Sequence, residues 1–128
     1  MKRAALFLFT LSLLAACSKD DDKQKVPTSE TTYQLIEILA DPGDGSGTFQ
    51  PVASSKSIVL KNNGTISSNG QICDMSTSSS SPTSGTYSLQ DSTINTPDCS
   101  DLPFEISGNL LIISYPCIEP CRAKFKEI

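Results

Sequence analysis

The chain has 128 residues, 38% hydrophobic and 19% charged, with a net charge of −4, five Cys, no His and no Trp. That length holds one domain at most, and the charge gives no basic face for a nucleic acid. Without His there is no Ser-His-Asp or Cys-His device, no imidazole base and no His-based zinc site.

The first element is an address. Lys2 and Arg3 precede a thirteen-residue apolar run, 4–16, that ends in Ala15 and Ala16 before Cys17. This is the layout of a secretory signal peptide, and the run is too short for a stable membrane span. Leu14-Ala15-Ala16-Cys17 resembles the lipobox of bacterial lipoproteins, which implies cleavage before Cys17 and acylation of that residue. Several acyl chains on one Cys meet the requirement for stable anchoring without a span, so the membrane is an expected partner.

Residues 18–23 (SKDDDK) are polar and charged. They resemble the surface-export signal of Bacteroidetes lipoproteins, which implies an outer-membrane protein exposed on the cell surface. Removing Lys2 and Arg3 from the ten basic residues leaves eight against fourteen acidic ones, a mature charge of −6. Residues 17–32, with Pro27 and no apolar periodicity, read as the lipidated Cys and a flexible tether.

The remaining 96 residues, 33–128, read as one small all-β domain. A domain of that size buries roughly 60–65% of its unfolded surface, enough for one modest core. Residues 33–40 (YQLIEILA) form the first predicted strand, taken over a helix because caps are missing at both ends. A Gly/Pro-rich loop, 41–47 (DPGDGSG), follows. Strand 57–61 (SIVLK) turns at Asn62-Asn63-Gly64 into strand 65–68. Residues 76–84 (STSSSSPTS) read as a polar, mobile loop with no core contribution.

Strand 85–90 (GTYSLQ) places Tyr87 and Leu89 on one face, and Asp91-Ser92 turns it into 93–95. Strand 102–107 places Phe104 and Ile106 inward, and Gly108-Asn109 turns it into 110–115. Strand 122–128 sets Ala123 and Phe125 against Arg122, Lys124 and Lys126 on the other face. About eight strands joined mainly by tight turns predict an antiparallel up-and-down meander. Closing it into a barrel removes the exposed edges, and an open sandwich is the alternative.

Cys73, Cys99, Cys117 and Cys121 form an even set in an exported chain, so disulfides are expected. Zinc is the rival, but no Cys-x2-Cys knuckle is present. Cys117 and Cys121 flank a short loop between predicted strands, within bridging reach. Pairing Cys73 with Cys99 then closes a loop of 26 residues, worth about 3 kcal/mol on the chain-entropy model. Cys73–Cys117 with Cys99–Cys121 stays open.

Chemistry finds little support. The loop from Asp41 fails the calcium pattern, with Gly43 at position three and Val52 at twelve. Asn63-Gly64-Thr65 fits an N-glycosylation site but coincides with a turn. Asp91-Ser92-Thr93 resembles the acceptor of Bacteroidetes O-glycosylation, with Ser92 as the modified residue, against a plain turn begun by Asp91. Glu37 and Glu105 could do acid–base work only if the fold brought them together. No catalytic residue, metal or cofactor is expected, and the chain is not read as an enzyme.

The order of YQLIEILADPGDGSGTFQPV, SIVLKNNGTISSNG, TYSLQDSTI and NLLIISYPCIEPCRAKFKEI resembles the small lipocalin-like lipoproteins of Bacteroidetes. The resemblance implies an eight-stranded barrel and binding of a small apolar ligand, with Tyr87, Leu89, Phe104, Ile106 and Phe125 lining the cavity. The alternative is a structural or protein-interaction lipoprotein whose barrel is filled by its own side chains.

Overall fold

The computed structural model describes residues 29–128. The expected signal peptide, Cys17 and the tether up to residue 28 lie outside the described residues. Nine strands run in order: β1 (Glu30–Ala40), β2 (Gln50–Pro51), β3 (Ser57–Lys61), β4 (Thr65–Ser68), β5 (Thr83–Ser88), β6 (Thr93–Asn95), β7 (Leu102–Ser107), β8 (Leu110–Tyr115) and β9 (Cys121–Glu127). All the regular structure among these residues is β-strand.

Leaving β2 aside, each strand pairs antiparallel with the next one along the chain in a meander, and β1 pairs with both β3 and β9. That last pairing closes an eight-stranded barrel and removes the open sandwich from consideration. β2 is the extra strand, laid on Glu37 and Ile38 where β3 no longer reaches. The tether was expected to continue to residue 32, but Glu30, Thr31 and Thr32 already pair with Lys61, Leu60 and Val59. Their polar side chains hid a strand whose backbone is needed to complete the ladder.

Alternation decides which side chains fill the barrel. Ile58 and Leu60, Leu111, Ile113 and Tyr115, and Ala123 and Phe125 take the inward positions and are buried. In β1 the period breaks: a bulge between Leu35 and Glu37 inserts Ile36, so Tyr33 and Leu35 face inward before it and Ile38 packs on the core after it. The interior is one cluster of fourteen buried hydrophobic residues, thirteen from strands and Ile72 from a loop. Eight strands enclose a space just wide enough for side chains to fill.

The turns explain the register. Gly64 N–H donates to Lys61 O at 3.0 Å, and Gly64 alone in that turn has positive φ, +84°. The loop is therefore a three-residue turn closed by a left-handed Gly, rather than a two-residue Asn-Gly turn. Between β7 and β8, Gly108 with φ +59° is the first of two loop residues, since Ser107 pairs with Leu110. Gly holds that left-handed conformation without the Cβ cost that other residues meet there.

Antiparallel order sorts the connections into two ends. At the near end, where β1 begins, lie the β3–β4, β5–β6 and β7–β8 turns and the C-terminus. At the far end lie loops 41–56, 69–82, 96–101 and 116–120. Both disulfides are there: Cys73–Cys99, with Cα atoms 5.8 Å apart, and Cys117–Cys121, 5.9 Å apart.

Candidate functional site

Of the five residues expected to line a cavity, three are in the barrel. Phe125 is fully buried, Phe104 is buried, and Tyr87 meets Phe104 edge-on with ring centroids 6.1 Å apart. Tyr87 Oη donates to Lys61 O at 2.7 Å, so its polar tip is satisfied at the near end. Leu89 and Ile106 do not line the interior: they are 66% and 41% exposed. Both continue an inward alternation past the wall that would cover them. β5 ends at Ser88, and β6 pairs with β7 only through Thr93–Pro103 and Ile94–Leu102. No cavity was found among the described residues, and the inward side chains fill the space.

The far end holds the polar feature that alternation could have revealed. Lys56 stands two residues before Ile58 on the same inward parity and is 1% exposed. Its Nζ donates to Ser76 O at 2.7 Å and Asp74 O at 3.2 Å, with the Asp74 carboxylate 4.0 Å away. Burial pulls the Lys56 pKa below its usual value, and the charge of Asp74 pushes partly back. The ammonium thus plugs the barrel and holds loop 69–82 across its mouth.

Three further contacts fasten that loop: Ser54 Oγ donates to Thr77 O at 2.7 Å, Ser55 Oγ meets Ser79 Oγ at 2.9 Å, and Cys73 is bonded to Cys99. The segment 76–84, expected as a polar, mobile loop, is thus fastened to its neighbours by hydrogen bonds. Ser and Thr side chains here hydrogen-bond the backbone across the loop instead of dissolving into solvent. Thr83 and Ser84 already belong to β5. At Gly70 an added Cβ would lie 2.3 Å from Ser78 O, so only Gly lets the loop close.

Tyr115 is the inward residue beside this plug. Its hydroxyl is buried without a hydrogen-bond partner among the described residues, and burial, then the Asp74 charge, raises its pKa.

The other sequence candidates separate. Asp41 Oδ1 accepts from Gly43 N at 2.7 Å and Gly45 N at 3.1 Å, and its Oδ2 accepts from Gly47 N at 2.8 Å. These backbone donors, Gly43 first, lower its pKa. The carboxylate organises its own loop. A Cβ at Gly47 would come within 2.7 Å of Asp41, so the loop needs Gly there. Glu37 pairs with Lys124 on the barrel's outer face, where the same ammonium lies 3.9 Å from the centre of the Phe49 ring. Glu105 is exposed on β7, which does not neighbour β1, so the two carboxylates are not brought together. Ser92 is exposed at the β5–β6 turn with φ +56°, and its carbonyl accepts from Phe104 N at 3.0 Å.

Comparisons with protein-family models, curated proteins and solved structures give no match. The class established here is the fold: a closed, antiparallel, eight-stranded barrel with one extra strand.

Proposed function

We propose that this chain is a lipoprotein, acylated at Cys17 and exposed on the outer membrane, that displays the far end of its barrel for interaction with other proteins. The observation that carries the interaction reading over the ligand-carrier reading is the interior filled by Phe125, Leu111, Ile113, Ile94 and their neighbours. A carrier of small apolar molecules would keep a lined cavity. Loops 41–56 and 69–82 supply the displayed surface, and the Asp41 carboxylate, the Lys56 ammonium and the two disulfides stiffen it. Rigid loops lose less entropy on binding.

The test has two arms. Labelled palmitate should enter the wild type and not Cys17→Ala, and external protease should remove the domain from intact cells. An apolar fluorescent dye should show no saturable binding to the folded domain. Saturable one-to-one binding, abolished by Phe104→Ala in a variant that still folds, would restore the carrier.

A further inference from the structure

Four large hydrophobic side chains are exposed among the described residues: Leu89, Ile106, Ile118 and Ile128. Single exposed apolar residues are ordinary. Three of these four, however, stand at the near end and come from three separate segments: Leu89 from the β5–β6 turn, Ile106 from the end of β7, and Ile128 at the C-terminus. Hydrogen bonds tie the segments to one another and to the start of β1. Phe104 N–H donates to Ser92 O, Glu127 N–H to Asn109 O, Ile128 N–H to Thr32 O, and Asn62 N–H to Ser29 O. The apolar side chains are therefore held around the rim through which the chain enters the barrel.

Ser29 lies twelve residue steps beyond Cys17, and twelve steps span about 43 Å at most. If Cys17 carries acyl chains, the near end is the end of the barrel joined to the bilayer and stays within about 43 Å of it. We infer that the near-end rim of Leu89, Ile106 and Ile128 rests on the lipid surface in which Cys17 is anchored, holding the barrel upright with its far-end loops outward. This rests on the lipoprotein reading.

The occupant is the apolar boundary of the bilayer rather than its charge. Glu30, Lys61, Asp91, Lys126 and Glu127 mix both signs at this end, and Lys61 is already paired with Glu30 at 3.8 Å. Shallow insertion of a few apolar side chains, made effectively intramolecular by the anchor, needs no basic patch.

The chain has no Trp, so one introduced indole reports alone. The full-length Leu89→Trp chain is coupled through the Cys17 thiol to a maleimide lipid in phosphatidylcholine vesicles. Its emission should shift to the blue on coupling and fall about twofold when the acyl chains are brominated, as for a side chain at the headgroup boundary. Ile106→Trp should behave alike, and Ile118→Trp, at the far end, should change in neither respect. Replacing a third of the lipid with phosphatidylglycerol should leave the quenching unchanged (a composition chosen on the order of a charged bilayer).

A water-like spectrum for both near-end reporters on coupled vesicles would overturn the inference. So would a blue shift without quenching by bromine, which would mean that a second copy covers the rim. A sugar located on Ser92 of the native protein by peptide fragmentation would also overturn it, because a glycan there would stand between Leu89 and the bilayer. The maleimide supplies the anchor, so these results do not depend on native acylation, which palmitate labelling tests separately.

Discussion

At Lys56 one ammonium, 1% exposed, does for a loop what a strand would do with a ladder. It gives two donors to carbonyls that would otherwise face a closed apolar barrel, and its stem covers the inward space above Ile58. Lys56→Met keeps the stem and removes both bonds. Bonds to a charged donor contribute about 1.5–3 kcal/mol, while relief of the ammonium's desolvation offsets part of the loss. We expect a net destabilisation of about 1–3 kcal/mol in urea and faster amide exchange in residues 74–80, with exchange around Ile94 and Leu111 unchanged. Unaltered loop exchange would show that the serine contacts suffice.

Tyr115 poses the converse case, a buried hydroxyl with no hydrogen-bond partner among the described residues. Tyr115→Phe removes no hydrogen bond, so stability should stay within about 1 kcal/mol or rise. Its pKa is raised from the ordinary 10.0 in the folded state. The unfolded chain therefore loses that proton first, and the stability this group contributes is fully present below pH 10 and falls as pH rises above it. Alkaline denaturation of Tyr115→Phe should begin at higher pH than that of the wild type. Coincident curves would assign the alkaline limit to another group, Tyr33 being next, since burial followed by the Glu127 charge raises its pKa too.

Among the elements, the two disulfides differ in what they constrain. Cys73–Cys99 links residues 26 apart and ties loop 69–82 to the turn after β6, whereas Cys117–Cys121 closes four residues inside one connection. Loop-closure entropy then assigns about 3–3.5 kcal/mol to the first and about 2 kcal/mol to the second. Paired Cys→Ser replacements measured by urea unfolding should keep that order. A larger loss from the short bridge would mean that it fixes the start of β9 rather than merely closing a ring.

The strands themselves were legible where side chains alternate between Ile, Leu or aromatic and polar residues, as in β3, β8 and β9. They were illegible where backbone pairing rather than apolar burial made the strand. Glu30–Thr32, Thr83–Ser84 and the Gln-Pro pair of β2 carry no apolar pattern, yet each completes a ladder. Leu89 and Ile106 failed differently, because parity states the face of a strand and not whether a neighbour stands opposite. Lys56 was available to the same parity argument. Its charge concealed it, since a lysine on an inward position is exceptional unless its ammonium is hydrogen-bonded.

At the scale of the whole barrel, closure is the feature that removes exposed strand edges. β9 seals β1 to β8 along its length, with pairs from Tyr33–Glu127 to Ala40–Cys121 on one side and from Leu110–Lys126 to Tyr115–Cys121 on the other. Deleting residues 122–128 exposes both edges and uncovers the sites of Ala123 and Phe125, each at most 1% exposed. Unpaired strand edges template association, so the truncated chain should sediment as oligomers. A monomeric, soluble truncation with native circular dichroism would place the fold's stability in the β3–β8 meander alone.

The placement of the two ends has a mechanical meaning. A load taken up by loop 69–82 and resisted at Ser29 must cross from β1 to its neighbours, since β1 bonds to β3 and β9 on opposite sides. Such a pull loads those bonds together, in shear, instead of parting them one after another as in a zipper. The barrel should therefore yield at a higher force when pulled between Ser29 and loop 69–82 than when β9 is peeled from the C-terminus.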